Sequence, residues 1–132
     1  MVRLTADRKE PLVAVRALRG ATCLSADDRD EMHDAVVELL SELLHRNAMT
    51  TDDLISIVFT ATPDLHSEFP AAAARRLALG DVPLICAQEL DVAGALPRVV
   101  RVMVHAETTL ARGEINHVYL RGAEVLRKDL AQ

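Results

Sequence analysis

RVVRVMVHA, residues 98–106, is the stretch whose reading decides the fold. Four valines and a methionine in nine residues, with no Gly or Pro among them, have the composition of a long β-strand. Arg101 stands in its middle. An unpaired charge inside an apolar strand is costly, so Arg101 must reach solvent, a partner or a ligand. The same tension recurs along the chain. LVAVRALRGAT, residues 12–22, reads as a first strand interrupted by Arg16 and Arg19, with Gly20 marking a turn. LISIVFTAT, residues 54–62, is a second strand that Pro63 and Asp64 stop. VPLICA, residues 82–87, is a third, with Glu89 just beyond it, and HVYL, residues 117–120, is a short fifth. Each misplaced charge has two readings from the residues alone: Glu–Arg pairing on an outward face, or an anion site.

Helices separate these strands. Met32, Val36, Leu39, Leu40, Leu43 and Leu44 recur at three-to-four spacing, with acidic residues on the other faces. Ser25 with Asp28 three residues on predicts the start of this helix, and Asn47 its end. Pro70 predicts the first turn of a second, shorter helix through Leu79, with Gly80 as its stop. Residues 50–53 and 91–96 read as turns or short capped segments. Residues 1–11 lack apolar periodicity and end in Pro11, so they read as a flexible extension to a single domain over residues 12–132. The order of elements predicts an α/β or α+β domain with a mixed sheet.

Composition bounds the function. The chain has 132 residues, half of them hydrophobic and 27% charged, which is globular composition. A net charge of −5 argues against a nucleic-acid or anionic-membrane partner. Of the fifteen cationic residues, thirteen are Arg and two, Lys9 and Lys128, are Lys. Coding bias accounts for much of that imbalance, as the twenty Ala also suggest, but Arg is also the side chain that grips carboxylates bidentately. Cys23 and Cys86 form neither a disulfide scaffold nor a metal motif. No apolar run is long enough for a membrane span, and the N-terminal residues carry no apolar signal region, so a reducing, cytoplasmic setting is expected.

The usual enzymatic signatures are missing: no P-loop, no GxGxxG, no GxSxG, no HExxH. The five His are scattered, and each by itself reads as a structural or surface residue. Tyr119 alone reads as a core or interface aromatic, Phe69 as a staple before Pro70, Cys86 as a small hydrophobe, and Arg75 as part of a solvated helix face.

Longer motifs change the weighting. RALRGAT (Arg16–Thr22), TATPDLHSEFPAAAAR (Thr60–Arg75), VPLICAQELDVAGALPRVVRVM (Val82–Met103), HVYL (His117–Leu120) and VLRKDL (Val125–Leu130) resemble, in order, the monofunctional chorismate mutases of the AroH class. The likeness runs from about residue 13 to residue 130. It implies an α/β-barrel-like homotrimer with active sites between neighbouring subunits, and the rearrangement of chorismate to prephenate on the way to Phe and Tyr. It implies no cofactor and no metal, because the reaction is unimolecular and pericyclic.

The resemblance also implies roles. Arg101 matches the cation that meets the ether oxygen and the side-chain carboxylate. Arg19 and Tyr119 match groups binding the enolpyruvyl carboxylate. Glu89 and Cys86 match partners of the ring hydroxyl, with Ile85 as a neighbour able to offer a backbone contact. Phe69, Ala71 and Leu126 match apolar walls, and Arg75 and Arg127 match cations near the ring carboxylate. Ala72 departs from the pattern, standing where other members can carry Lys, and Ile85 replaces a frequently polar residue. The alternative reading is a non-catalytic trimeric metabolite-binding or regulatory protein on the same fold.

Overall fold

A computed structural model describes residues 12–127. The extension expected at residues 1–11 and the end of the chain from Lys128 lie outside the described residues. Five strands, β1 (Ala14–Cys23), β2 (Leu54–Ala61), β3 (Leu84–Gln88), β4 (Val99–Thr108) and β5 (Val118–Tyr119), form one sheet in the order β3-β2-β4-β1-β5. β4 runs antiparallel to both β1 and β2, while β1–β5 and β2–β3 are parallel pairs. The expected mixed sheet is therefore present, and its centre is the valine-rich stretch around Arg101.

Two helices, α1 (Arg29–Arg46) and α2 (Pro70–Ala74), cover one face of the sheet. Alternation along each strand sorts the side chains. Val100, Val102, Val104 and Ala106 of β4 are buried under the helices with Leu18, Ile57 and Phe59. Met32, Ala35, Val36, Leu39, Leu40 and Leu43 form the stripe of α1 that meets them. Each large apolar side chain so buried contributes about 1.5–3 kcal/mol. Among the described residues the opposite face has no such cover: Val15 is 57% exposed and Ile85 62%.

Several expected boundaries shift for physical reasons. Gly20 is not in a turn; β1 continues through it to Cys23. It is glycine because α1 approaches the sheet there. An added Cβ would meet Leu43 Cδ1 and Val102 Cγ2 at 2.9 Å and Leu39 Cδ1 at 3.1 Å. The cap of α1 is Asp28 rather than Ser25: its carboxylate accepts the Glu31 N–H at 2.8 Å. Glu31 in turn accepts from the N–H and hydroxyl of Ser25 at 2.6 and 2.9 Å, and its carboxyl is held below the usual range chiefly by the Ser25 amide. Helix α2 ends at Ala74 and not near Leu79. Beyond it Leu77 and Leu79, two residues apart, both turn toward the core, a spacing one helical face cannot supply.

At the other end of α1, buried Asn47 joins the helix to the segment before β5. Its Nδ2 donates to the carbonyls of Leu43 at 2.8 Å and Asn116 at 2.9 Å, and its Oδ1 accepts the Asn116 N–H at 2.7 Å. Asn116 returns a bond from its own Nδ2 to the Arg46 carbonyl at 2.9 Å. After β5, Arg121 and Gly122 take positive φ values of 54° and 94°, and the chain reverses into a 3-10 turn, Ala123–Leu126. That turn lies over one end of the open face, where Ala123 and Leu126 pack with Ala21, Val99 and Tyr119.

The closeness of α1 to β1 gives a direct test. Gly20→Ala should destabilise the fold by about 1–3 kcal/mol through overpacking, read as a lower denaturation midpoint at unchanged slope. Wild-type stability in that variant would show that the helix–sheet gap is looser than these distances state.

Candidate active site

Arg19 and Arg101 both fall on the open face, because Leu18 and Gly20 on β1 and Val100 and Val102 on β4 face the helices. The strand register sets what lies beside them. Arg101 pairs with Thr60 of β2 on one side and Ala21 of β1 on the other, and Ala21 pairs with Tyr119 of β5. Arg19 pairs with Met103. Arg19, Thr60, Arg101, Met103 and Tyr119, with Val58, Glu89 and Arg127, line a cleft of about 250 Å3. Arg127 arrives from the far side, carried by the turn after β5.

The charges in this cleft are organised. Glu89 follows β3 directly, and its backbone N–H donates to the Ala61 carbonyl at 2.9 Å, which continues the β2–β3 ladder by one residue. Its Oε2 accepts a hydrogen bond from the Thr60 hydroxyl. The same oxygen stands 3.6 Å from Arg101 Nε, an ion pair rather than a hydrogen bond. Glu89 therefore steadies Arg101 without closing its donors around itself. With Arg19 and Arg127 the cleft holds three guanidinium groups against one carboxylate. Such a surplus suits a small anion with more than one negative group.

The other expected site residues lie elsewhere on the chain. Cys86 and Phe69 line a second cleft, of about 350 Å3, together with His66, Glu68 and Gln88. Cys86 pairs with Phe59 and so belongs to the helix side of β3, as a partly buried free thiol. Phe69 is 70% exposed at the entry to α2. Ala71 is buried in the core behind it, Arg75 is exposed at the end of α2, and Ile85 stands on the open face beside Val58. Leu126 packs against the small cluster containing Tyr119. Within one chain the fold thus assembles Arg19, Glu89, Arg101, Tyr119 and Arg127 in one cleft, and leaves Cys86 and Phe69 in another.

The second cleft is itself well braced. His33 Nε2 and Glu68 Oε2 are 2.8 Å apart, Arg29 approaches the same oxygen at 3.2 Å, and Glu68 also accepts the Phe69 N–H at 3.0 Å. His33 foremost, then that amide, holds the Glu68 carboxyl below the usual range. Asp27 accepts the N–H groups of His66 and Ser67 at 2.9 and 3.0 Å. The loop that presents Phe69 is therefore tied down on both sides.

Sequence reasoning missed Thr60, Val58, Met103 and His117 as parts of this neighbourhood. Thr60 had a visible signal, since a hydroxyl alternates there with buried Phe59 on a central strand. The others join it only through tertiary contact, Val58 and Met103 by strand pairing and His117 by its bond to the Arg19 N–H. Among the described residues no group of three His, Cys, Asp or Glu is placed to hold a metal ion.

Comparison with known proteins bears directly on this site. A family model described as chorismate mutase type I matches residues 15–130. The chain is 39% identical over 118 residues to Chorismate mutase AroH of Bacillus subtilis, covering 89% of this chain and 93% of that one. It is 43% identical over 117 residues to Chorismate mutase AroH of Thermus thermophilus, covering 88% and 96%. A solved chorismate mutase from Clostridium thermocellum superposes with a TM-score of 0.82 at 44% identity, covering 83% of this chain and 98% of that one. On its sequence and its fold, the chain belongs to the type I chorismate mutase family.

Proposed function

We propose that this chain converts chorismate to prephenate by holding the substrate in its reactive conformer and stabilising charge with arginine. The observation that carries the mechanism is the cleft that Arg19, Arg101 and Arg127 line together with one carboxylate, Glu89. The reaction breaks the bond between a ring carbon and the ether oxygen while a carbon–carbon bond forms. No proton moves and no covalent intermediate arises, which accounts for a site without a nucleophile or a general base.

Two contributions remain for the protein. Chorismate is a flexible dianion, and fixing it in a chair-like geometry removes an entropic barrier before the chemistry begins. Arg19 with Tyr119 takes the enolpyruvyl carboxylate, and Arg127, with Arg75, takes the ring carboxylate. The second contribution is electrostatic. Negative charge gathers on the ether oxygen as the bond stretches, and Arg101 meets it there, so its interaction strengthens in the transition state. Glu89 orients Arg101, accepts the ring hydroxyl and complements positive character on the ring. Cys86 and the Ile85 backbone complete the hydroxyl's surroundings. Phe69, Ala71 and Leu126 supply apolar walls.

The complete site forms between copies. Three chains assemble with their open sheet faces inward, so that the Phe69–Cys86 cleft of one meets the arginine cleft of its neighbour. Two features support this. The functional side chains are divided between two clefts of one chain, and Val15, Ile85 and Phe69 are left in water at 57%, 62% and 70% exposure. Cys23 and Cys86 are both free thiols, in keeping with a reducing cytoplasm.

Three outcomes are expected. Purified protein should accelerate the loss of chorismate absorbance with prephenate as product; binding without conversion would instead favour the non-catalytic reading. Arg101→Gln should lower kcat by about 10²–10³-fold or more, with a much smaller change in KM. A rise in KM alone would assign Arg101 to ground-state binding. Finally, co-expressed Arg101→Gln and Phe69→Asp chains should form mixed assemblies with activity that neither variant has alone. Sites contained within one chain would show no such recovery.

A further inference from the structure

β5 is only two residues long, and it pairs with Gly20 and Ala21 of β1. The ladder therefore ends one residue short of Arg19. At that point a side chain replaces the missing strand: the Arg19 N–H donates to His117 Nδ1 at 2.9 Å. A backbone N–H can only donate, so Nδ1 carries a lone pair and the ring proton sits on Nε2. The ring hangs from a firm support, because the preceding residue, Asn116, is bonded through its N–H and carbonyl to the buried Asn47.

We propose that His117 is a positioning residue for Arg19, and that protonating it releases the Arg19 backbone and weakens substrate binding. The inference rests on the reading above, in which Arg19 holds a substrate carboxylate. The surroundings make the switch one-directional. His117 lines a cleft of about 410 Å3 with Arg16 and Arg19 of β1, His105 of β4 and Arg112 of the turn after β4. No carboxylate is among the residues lining it. From the C-terminal turn the charge of Arg127 also reaches the ring. On the α1 side Asn47 is uncharged and Arg46 is engaged with Glu42 at 3.1 Å. A proton on Nδ1 would thus remove an acceptor and add a cation among cations.

Burial first, then Arg19 and Arg127, holds the His117 ring below its ordinary 6.5. The sign follows from linkage. An unfolded or released ring takes its proton at the ordinary value, while the folded ring resists, so the bond is intact at neutral pH and above. It is lost as pH falls through the lowered folded value. Because a carboxylate grip acts on ground and transition states alike, the loss falls mainly on KM.

The test compares two substitutions. Asn places an oxygen acceptor where Nδ1 stands and does not titrate. Gln reaches toward the position of Nε2 and leaves the Arg19 N–H without its acceptor. His117→Asn should keep kcat/KM within about twofold at pH 7.5 and carry its plateau to lower pH than the wild type. His117→Gln should raise KM about tenfold, the effect of one lost hydrogen bond, with kcat changed far less. Any other pH dependence of the site or the substrate is common to all three proteins, so the difference between profiles reports His117. Amide hydrogen exchange at Arg19 gives a readout independent of activity. It should be slow in the wild type and in His117→Asn at pH 7.5, and fast in His117→Gln. Equal Arg19 exchange in wild type and His117→Gln, or superposable acid limbs in wild type and His117→Asn, would overturn the proposal. If wild-type protein left chorismate unchanged while exchange followed the expected pattern, the functional reading would fall and the His117–Arg19 bond would keep its assigned role.

Discussion

Leu39 and Leu43 of α1 press onto Gly20 and Val102 at the centre of the sheet, and the rest of the molecule is arranged around that contact. Once Gly20 and Val102 face the helix, the two-residue period of a strand turns Arg19 and Arg101 to the other side. The apolar burial that stabilises the fold thereby aims its two central cations into one cleft. A register slip of one residue in β1 or β4 would bury a guanidinium under α1, at a cost no partner there could offset.

The cleft built this way is electrostatic rather than acid–base in character. Glu89 is anchored by Thr60 and held at ion-pair distance from Arg101, so the carboxylate limits the motion of the cation it faces. Groups held in advance of the reaction need not reorganise as charge develops. On the proposed mechanism, familiar catalytic signatures are absent from a chain belonging to an enzyme family because the reaction asks for fixed charge and a shaped cavity, which arginine with a one-sided sheet would supply.

The same one-sidedness bears on assembly. Helices cover one face of the sheet, and the other presents charged side chains among exposed apolar ones. On the proposed assembly, the second copy both removes Val15 and Ile85 from water and brings the Phe69–Cys86 wall to the arginines. Stability and catalysis would then depend on one surface. The bracing of the Phe69 loop by Asp27, His33 and Glu68 fits such a role, since a wall lent to a neighbour must keep its shape without that neighbour's help.

Much of this was legible in the amino-acid order. The valine run around Arg101, the leucine stripe of α1 and the apolar second strand are local signals of composition and periodicity, legible without knowledge of contacts. The motifs around Arg19, Glu89, Arg101 and Tyr119 named the family and the candidate site. Local signals misled where a tertiary demand overrode them: Gly20 reads as a turn but is required by the approach of a helix, and α2 stops early because Leu77 and Leu79 both seek the core. Which residues share a cleft was decided only by the folded chain. Cys86 and Glu89 are three residues apart, so the two-residue period of the extended chain sends them to opposite faces, and pairing with β2 then chooses their neighbours. The pairing of His117 with Arg19 has the same origin. A sequence separation of 98 residues carries no signal of a hydrogen bond, and the bond exists because a two-residue strand ends where an amide still needs an acceptor.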